Sequence, residues 1–381
     1  MEIKNLKKAA TRIRKAIKNK ERIIIYGDSD MDGVCSVIIL KECIKNLGGD
    51  IVEIYFPDRE TEGYGINKIA LNNLRSHAPA LLIALDLGIG NFKEVDIANK
   101  MGFSVIIIDH HEIPDKVPNA DIVVDPKQEG DKYPFKLFAN VGLVYRLSVV
   151  LLKNKMTESL RKDFLELAAM ATIADMMPQT DDNEEIILEG LSSLRNSWRP
   201  GIQALLELEF INSLSLMYQV NKMNSLMNLR DIGEKTPTAF RLLTISNIED
   251  AGRMVEKLLE KSIEKKRKIK DILEQVEARI SFKKNSIIFE GDSSWELVLL
   301  GIVCSITTQK HNKPVFLYRK DKEDSQGSIR APKDHNVVEA MKTCSRYFMT
   351  YGGHPTAAGF RAKNKNLDKA KECLIEYYYN K

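Results

Sequence analysis

Four short stretches place acids or histidines directly behind apolar runs. Gly27-Asp28-Ser29-Asp30-Met31-Asp32-Gly33 follows Arg22-Ile23-Ile24-Ile25-Tyr26, and Asp86 follows residues 81–85. Asp109-His110-His111 follows residues 105–108, and Asp175 closes the apolar helical pattern 168–174. If the runs are strands of an open α/β sheet, ligands bind beyond their carboxyl ends and these side chains converge in one crevice. Converging carboxylates repel and raise each other's pKa. A pair of divalent cations offsets that charge, with carboxylate and imidazole ligands. Oxygen-rich ligation with a histidine and no cysteine favours Mn²⁺ or Mg²⁺ over a structural zinc site.

Taken singly, most of these stretches have ordinary explanations. An Asp-rich turn before a helix caps it. The pattern D-x-D-x-D-G also opens an EF-hand loop. Here Ile39 holds the twelfth position, where a bidentate Glu is required, and a strand pattern precedes the loop. Asp86 alone is a loop acid. The pair His110-His111 is harder to assign to structure, because two of only six histidines stand together behind a strand and an aspartate.

The elements that must position these residues read as follows. Strands are expected at 22–26, 51–55, 81–85, 104–108 and 121–124, with helical patterns between most of them. The first helix covers 34–47 and stops at Gly48-Gly49. Continuous apolar runs suit a parallel sheet covered on both faces. Residues 139–153 and 161–174 read as further helices, and 185–245 as predominantly helical. From Asn247 to about Ser281 runs one long charge-rich helical pattern without proline, read as a solvated linking helix. Strands follow at 286–290, 296–300 and 314–318. A helix at 337–346 leads into Tyr351-Gly352-Gly353-His354, and 367–378 is helical.

The chain has 381 residues, enough for two domains. Hydrophobic residues make up 44% and charged residues 29%, ordinary for a globular protein. No window reaches the ~18 uninterrupted apolar residues of a membrane span. The N-terminus is charged and amphipathic, without an apolar signal core, so a cytoplasmic protein with no membrane partner is expected. Net charge is +4, which permits nucleic-acid binding without arguing for it. The five cysteines include no C-x-x-C pair, so no disulfide framework is expected and most read as small core hydrophobes.

With these residues in view, the chain resembles the DHH phosphoesterases. Asp109-His110-His111 matches the family signature, and Gly27 through Gly33 resembles the first motif of its RecJ branch. Phe56-Pro57-Asp58-Arg59 with Glu62-Gly63-Tyr64-Gly65 resembles a further RecJ segment. Asp86-Leu87-Gly88 and Ala171-Thr172-Ile173-Ala174-Asp175 resemble the second and fourth motifs. Gly352-Gly353-His354-Pro355 through Phe360 is similar to the GGH motif of the DHHA1 domain.

The resemblance implies an α/β protein. A DHH domain with a mainly parallel sheet and helical extension would cover 1–245. A linking helix would cover 246–281, and a smaller α/β DHHA1 domain 282–381, with substrate between the two domains. It implies that Asp28, Asp30, Asp32, Asp86, His110 and Asp175 hold two divalent cations, Mn²⁺ foremost and Mg²⁺ as the alternative, with Asp86 bridging. His111 would face the scissile phosphate and Asp109 would orient a histidine. Ser328, Arg330, Gly352, Gly353 and His354 would grip substrate phosphate, and Arg59 would add a charge-assisted contact. The activity implied is exonucleolytic hydrolysis of single-stranded DNA or RNA, 5′→3′ favoured. Replication or repair proteins stay open as partners.

The sequence departs from the family in places. The middle stretch P-R-I-N-A-x-G-R has only Asn224 as its counterpart at the substrate, and the closing arginine is lost. Related subfamilies carry a first-motif histidine that is absent here, and Asp28 would stand in for it. Three alternatives remain open: cleavage of very short oligonucleotides, cyclic dinucleotides or pyrophosphate; a non-catalytic scaffold in a replication complex; and a plain binding module for single strands.

Overall fold

A computed structural model of the protein describes residues 2–59, 61–229, 236–280 and 285–379. The chain divides into two units, Met1–Glu260 and Lys261–Lys381. The first opens with α1 (Leu6–Lys18), β1 (Ile23–Gly27), α2 (Met31–Asn46) and β2 (Glu53–Tyr55). α3 (Lys68–Leu74), β3 (Ala80–Leu85), α4 (Phe92–Lys100), β4 (Phe103–Ile108) and β5 (Ile122–Val124) complete its sheet. Helices α5 (Asn140–Leu152), α6 (Glu158–Ala174), α7 (Asp181–Leu194), α8 (Pro200–Leu206), α9 (Glu209–Asn212), α10 (Leu216–Met227) and α11 (Thr238–Thr244) follow. α12 (Ile248–Ile280) then crosses the division: Ala251, Val255 and Leu258 join the first unit's core, Ile272 and Val276 the second's. Ser281, the last residue of the expected helix, lies outside the described residues.

The first sheet is parallel throughout, in the order β2-β1-β3-β4-β5. Both faces are covered, which is why its strands read as unbroken apolar runs. Ile23, Ile25, Leu81, Ile83, Ile106 and Ile108 pack under α1, α2, α5 and α6. The alternate residues Ile24, Tyr26, Leu82, Ala84, Val105 and Ile107 pack under α3 and α4. The order reverses direction at β1, so the crevice between the carboxyl ends of β1 and β3 is where such a sheet binds ligands. Asp28 and Asp86 are the residues that leave those two strands.

A buried ion pair braces the helical side. Arg199 is 2% exposed and donates to both oxygens of Asp163, at 2.7 and 2.6 Å, to Glu42 at 2.9 Å and to the Leu243 carbonyl at 2.9 Å. Burial pushes the Asp163 carboxyl up to about 6 even beside this guanidinium. Arg199→Ala would leave Asp163 buried and unpaired, so it should cost about 3–5 kcal/mol. Urea unfolding of Arg199→Ala against the double variant Arg199→Met/Asp163→Leu checks this. The double variant should recover most of the loss.

The second unit holds β6 (Ile288–Asp292), α13 (Leu297–His311), β7 (Val315–Lys320), β8 (Asp324–Arg330), α14 (Val337–Thr343), β9 (Thr350–His354), β10 (Ala357–Lys363) and α15 (Leu367–Tyr379). Its mixed sheet has the order β6-β7-β8-β10-β9. Two expectations are corrected here. Residues 296–300 are not a strand but the N-cap and first turn of α13, because buried residues continue at helical spacing from Leu299 and Leu300 through Val303, Cys304 and Thr307. Cys344 and Cys373 are disulfide-bonded, with Cα atoms 6.0 Å apart, while Cys35, Cys43 and Cys304 are free and buried. A separation of 29 residues carries no pairing signal in sequence. Among the described residues, no helix is long and apolar enough to cross a membrane.

Candidate metal centre and phosphate cradle

Asp30 is the N-cap of α2, and its Oδ1 accepts from the N–H groups of Asp32 and Gly33, both at 3.1 Å. This turns Asp32 inward in the first helical turn, where only 2% of it is exposed. Gly33 is required by close approach: a Cβ there would stand 2.4 Å from the Asp28 carbonyl. Asp32 is held from the other side by α5. Its two oxygens accept from the N–H groups of Asn140 at 2.6 Å and Val141 at 2.7 Å. The cap of α5 is Ala139, which has no side-chain acceptor to offer, so its first N–H groups need one from elsewhere. Asp86 leaves β3 in the left-handed region, with φ 63°, and its N–H donates to the Ile108 carbonyl.

His110 decides the character of the cluster. Its Nδ1 lies 2.8 Å from the Phe138 carbonyl, so Nδ1 carries the proton and donates. Burial, with His111 adding to it, lowers the His110 pKa to about 4, so the ring is neutral. The lone pair on Nε2 therefore points at carboxylates: Asp86 at 3.3 Å, Asp175 at 3.7 Å and Asp32 at 3.8 Å. Among the described residues, the buried Oδ1 of Asp86 and Oδ2 of Asp175 have no hydrogen-bond partner. Burial holds the carboxyls of Asp32 and Asp86 well above the usual range, with Asp175 adding to the first and Asp32 to the second. Burial and Asp30 push Asp175 up to about 6. Asp86 Oδ1, Asp175 Oδ2 and His110 Nε2 are acceptors facing one another with no donor between them among the described residues, an arrangement that fits a bound cation.

The ligand atoms form overlapping groups, each within 4.8 Å: Asp32, His110 and Asp175; Asp28, Asp30 and Asp86; Asp86, His110 and His111. Asp86 is common to the second and third, and His110 to the first and third. These groups suit two adjacent cations of the Mn²⁺ or Mg²⁺ type.

Asp109 is not free to ligate. Its Oδ1 accepts from the N–H groups of His110 (2.8 Å) and His111 (3.2 Å) and from His111 Nδ1 (2.7 Å), and Oδ2 accepts from Ile89 N–H at 3.0 Å. Burial pulls this carboxyl up, but the bonds to His111 and the backbone outweigh it and hold it below the usual range. The same hydrogen bond raises His111. Nε2 of His111 is turned outward, 3.5 Å from the Tyr64 hydroxyl.

Two expected substrate residues sit elsewhere. Arg59 donates through Nε to Asp28 Oδ1 at 2.9 Å, through Nη2 to Asp28 Oδ2, and through Nη2 to Asp30 Oδ2 at 2.9 Å. Asn224 belongs to the inner face of α10 with Val220, Met223 and Met227, and its amide donates to the Met170 carbonyl at 2.9 Å. It is a packing residue there, not a surface contact.

In the second unit, Gly352 and Gly353 are part of β9, and His354 is its last residue, exposed. Register places Arg330, Ala357 and His354 in one row across β8, β10 and β9, and Ser328, Gly359 and Gly352 in the next. Register partners share a face. On that face Val315 and Leu317 of β7, opposite Arg330 and Ser328, are covered by α13. Gly301 of α13 borders the row: a Cβ there would lie 3.3 Å from Arg330 Nη2 and 4.0 Å from Ser328 Oγ. Beyond it, Ala357, Gly359 and Gly352 leave the sheet bare between an arginine and a histidine. Such a shallow strip, flanked by two donors, matches a phosphate or a sugar-phosphate chain.

A model of the DHH family N-terminal domain matches residues 22–172, and a model of the DHHA1 domain matches residues 284–380. The chain thus carries a DHH family N-terminal domain and a DHHA1 domain. Its relatives include the single-stranded-DNA-specific exonuclease RecJ of Bacillus subtilis, 31% identical over 385 residues, covering 98% of this chain and 48% of that protein. The Thermus thermophilus protein of the same name is 28% identical over 378 residues, covering 99% of this chain and 54% of its own. This DHH chain thus spans about half the length of those relatives. Among solved structures, exonuclease RecJ bound to manganese matches with a TM-score of 0.82 at 24% identity, over 100% of this chain and 95% of that one. The Thermus thermophilus RecJ in complex with Mn²⁺ matches at 0.77 and 23% identity, over 100% of this chain and 55% of its own. These likenesses establish the fold of both units.

Proposed function

We propose that this DHH protein is a metal-dependent phosphodiesterase that hydrolyses single-stranded nucleic acid from an end. The observation that carries the reading is the neutral His110 Nε2 facing the carboxylates of Asp32, Asp86 and Asp175, of which Asp86 Oδ1 and Asp175 Oδ2 have no hydrogen-bond partner among the described residues. The related RecJ proteins are named for action on single-stranded DNA, and two solved RecJ structures contain manganese.

Asp32, Asp175 and His110 would hold one cation, and Asp28 and Asp30 the other, with Asp86 shared. Divalent cations bound there supply a nucleophile at neutral pH and positive charge for the phosphate oxygens. Asp109 fixes His111 with Nδ1 protonated, so that Nε2 faces outward towards substrate. A raised His111 pKa suits donation of a hydrogen bond or a proton to a phosphate or leaving oxygen. Ser328, Arg330 and His354 would hold phosphate and give no base readout, which supports a sequence-tolerant substrate. Single-stranded nucleic acid is the expected partner.

End-labelled DNA and RNA strands of increasing length, incubated with Mn²⁺ and compared with a dinucleotide, test the substrate class. Long strands should shorten one nucleotide at a time from one end. Activity confined to the dinucleotide would replace this reading with a small-nucleotide phosphodiesterase.

A further inference from the structure

The two halves of the acidic cluster are not equivalent. Around Asp32 and Asp175 no Lys or Arg lies within ion-pair distance among the described residues. Around Asp28 and Asp30 one does. The Asp28 carboxylate is 1% exposed, and a buried carboxylate requires a cationic or hydrogen-bonding partner. Arg59 supplies it through a two-pronged contact and extends to Asp30 at 2.9 Å. Its guanidinium thus binds two of the three acids whose oxygens gather within 4.8 Å as a candidate cation subsite, the third being Asp86. A guanidinium seated on these carboxylate oxygens opposes a divalent cation on the same oxygens, because the two like charges repel and each draws on the same lone pairs.

Arg59 is placed to leave. It lies outside regular structure between β2 and α3, with its side chain 36% exposed and its guanidinium 5.3 Å from the centre of the Tyr64 ring. The backbone around it is pinned independently. Tyr55 Oη donates to Glu62 at 2.8 Å, and Tyr26 Oη donates to the Gly65 carbonyl at 2.9 Å. The side chain can swing without disturbing these anchors.

We propose that Arg59 is the built-in competitor of the second cation. The Asp32–His110–Asp175 subset loads first, and the Asp28–Asp30–Asp86 subset loads only as Arg59 withdraws. The released guanidinium then faces the substrate side, where it meets phosphate. The proposal rests on the two-cation reading of the same site, and its test separates the two.

The test is Mn²⁺ titration of the metal-stripped full chain without substrate, read by electron paramagnetic resonance of free Mn²⁺. The wild type should show two classes of site of unequal affinity. In Arg59→Met the weaker class should tighten by roughly ten- to hundredfold, the scale of a charged hydrogen-bond pair, while the tighter class stays unchanged. Asp28→Asn should lose the weaker class alone. Arg59→Lys, a shorter point charge that keeps the loop's composition, should fall between wild type and Arg59→Met. A weaker class that is unchanged or loosened in Arg59→Met, or in Arg59→Lys should the Met variant not fold, overturns the competitor role and leaves the two-cation reading standing. A wild type that binds no Mn²⁺ overturns both.

Discussion

In Asp86→Asn, hydrolysis should fall by roughly 10²–10³-fold, the scale of removing one preorganised electrostatic group from a transition state. The substitution keeps size and shape, and it removes the carboxylate that two of the three ligand groups share. The same change should stabilise the metal-free protein. Burial and the neighbouring Asp32 hold the Asp86 carboxyl above its ordinary range, so its ionised form is the unfavourable one in the folded state. A folded-state pKa above the unfolded value means that the unfolded chain releases its proton first, and stability falls as pH rises through the interval. For Asp175 that interval runs from the usual carboxylate range to about 6. Metal-free wild type should therefore melt lower at pH 7 than at pH 5, and Asp86→Asn should lose less over the same range. Thermal unfolding in chelator at the two pH values, alongside hydrolysis rates in Mn²⁺, checks both parts. An active Asp86→Asn, or one that melts lower than wild type without metal, would speak against the shared-ligand role.

Arg330→Ala should weaken binding of a short single strand by roughly ten- to hundredfold, since a charge-assisted phosphate contact is worth about 1.5–3 kcal/mol. The salt dependence of log K should also flatten by about 0.7 for one lost contact on a single strand. Mn²⁺ affinity should not change, because arginine has no lone pair to offer a metal. The structure supports a binding role over a bracing one. The Arg330 guanidinium makes one described hydrogen bond, to the neighbouring Ile329 carbonyl at 2.8 Å, and Gly301 leaves it uncrowded. His354→Ala should act in the same direction, its row partner being Ala357. Oligonucleotide affinity at several salt concentrations and a parallel Mn²⁺ titration decide the matter. Unchanged affinity with weakened Mn²⁺ binding would assign these residues to the metal.

Much of the first unit was legible in the sequence because its chemistry sits at strand ends. Ile23–Gly27, Ala80–Leu85 and Phe103–Ile108 are buried on both faces, so they stand out as apolar runs, and Asp28, Asp86 and Asp109 follow each without a gap. What the sequence concealed are partners brought from far along the chain. Asn140 and Val141 hold Asp32 across more than a hundred residues, through backbone groups that carry no residue signature. A hint existed in the helix that starts at Asn140 without a capping side chain. Arg59 carries the charge expected of a phosphate contact, and only the fold reveals that buried Asp28 takes it instead.

In the second unit the strands at 324–330 and 350–354 read Asp-Ser-Gln-Gly-Ser-Ile-Arg and Thr-Tyr-Gly-Gly-His. They are polar and glycine-rich because part of one face stays bare, so they lack the β-branched pattern that marks a strand. The same bareness is what makes the strip usable for a ligand. The helix at Leu297–His311 was hidden for the opposite reason: a short apolar run looks the same in a strand and in a buried helix.

The most direct measurement is release of labelled mononucleotide from an end-labelled single strand by the full chain, first in chelator and then with Mn²⁺ added. The expected result is no release in chelator, stepwise release with Mn²⁺, and none from Asp86→Asn under either condition. Release that continues in chelator, or that survives in Asp86→Asn with Mn²⁺ limiting, would contradict a two-cation phosphodiesterase built on Asp28, Asp30, Asp32, Asp86, His110 and Asp175.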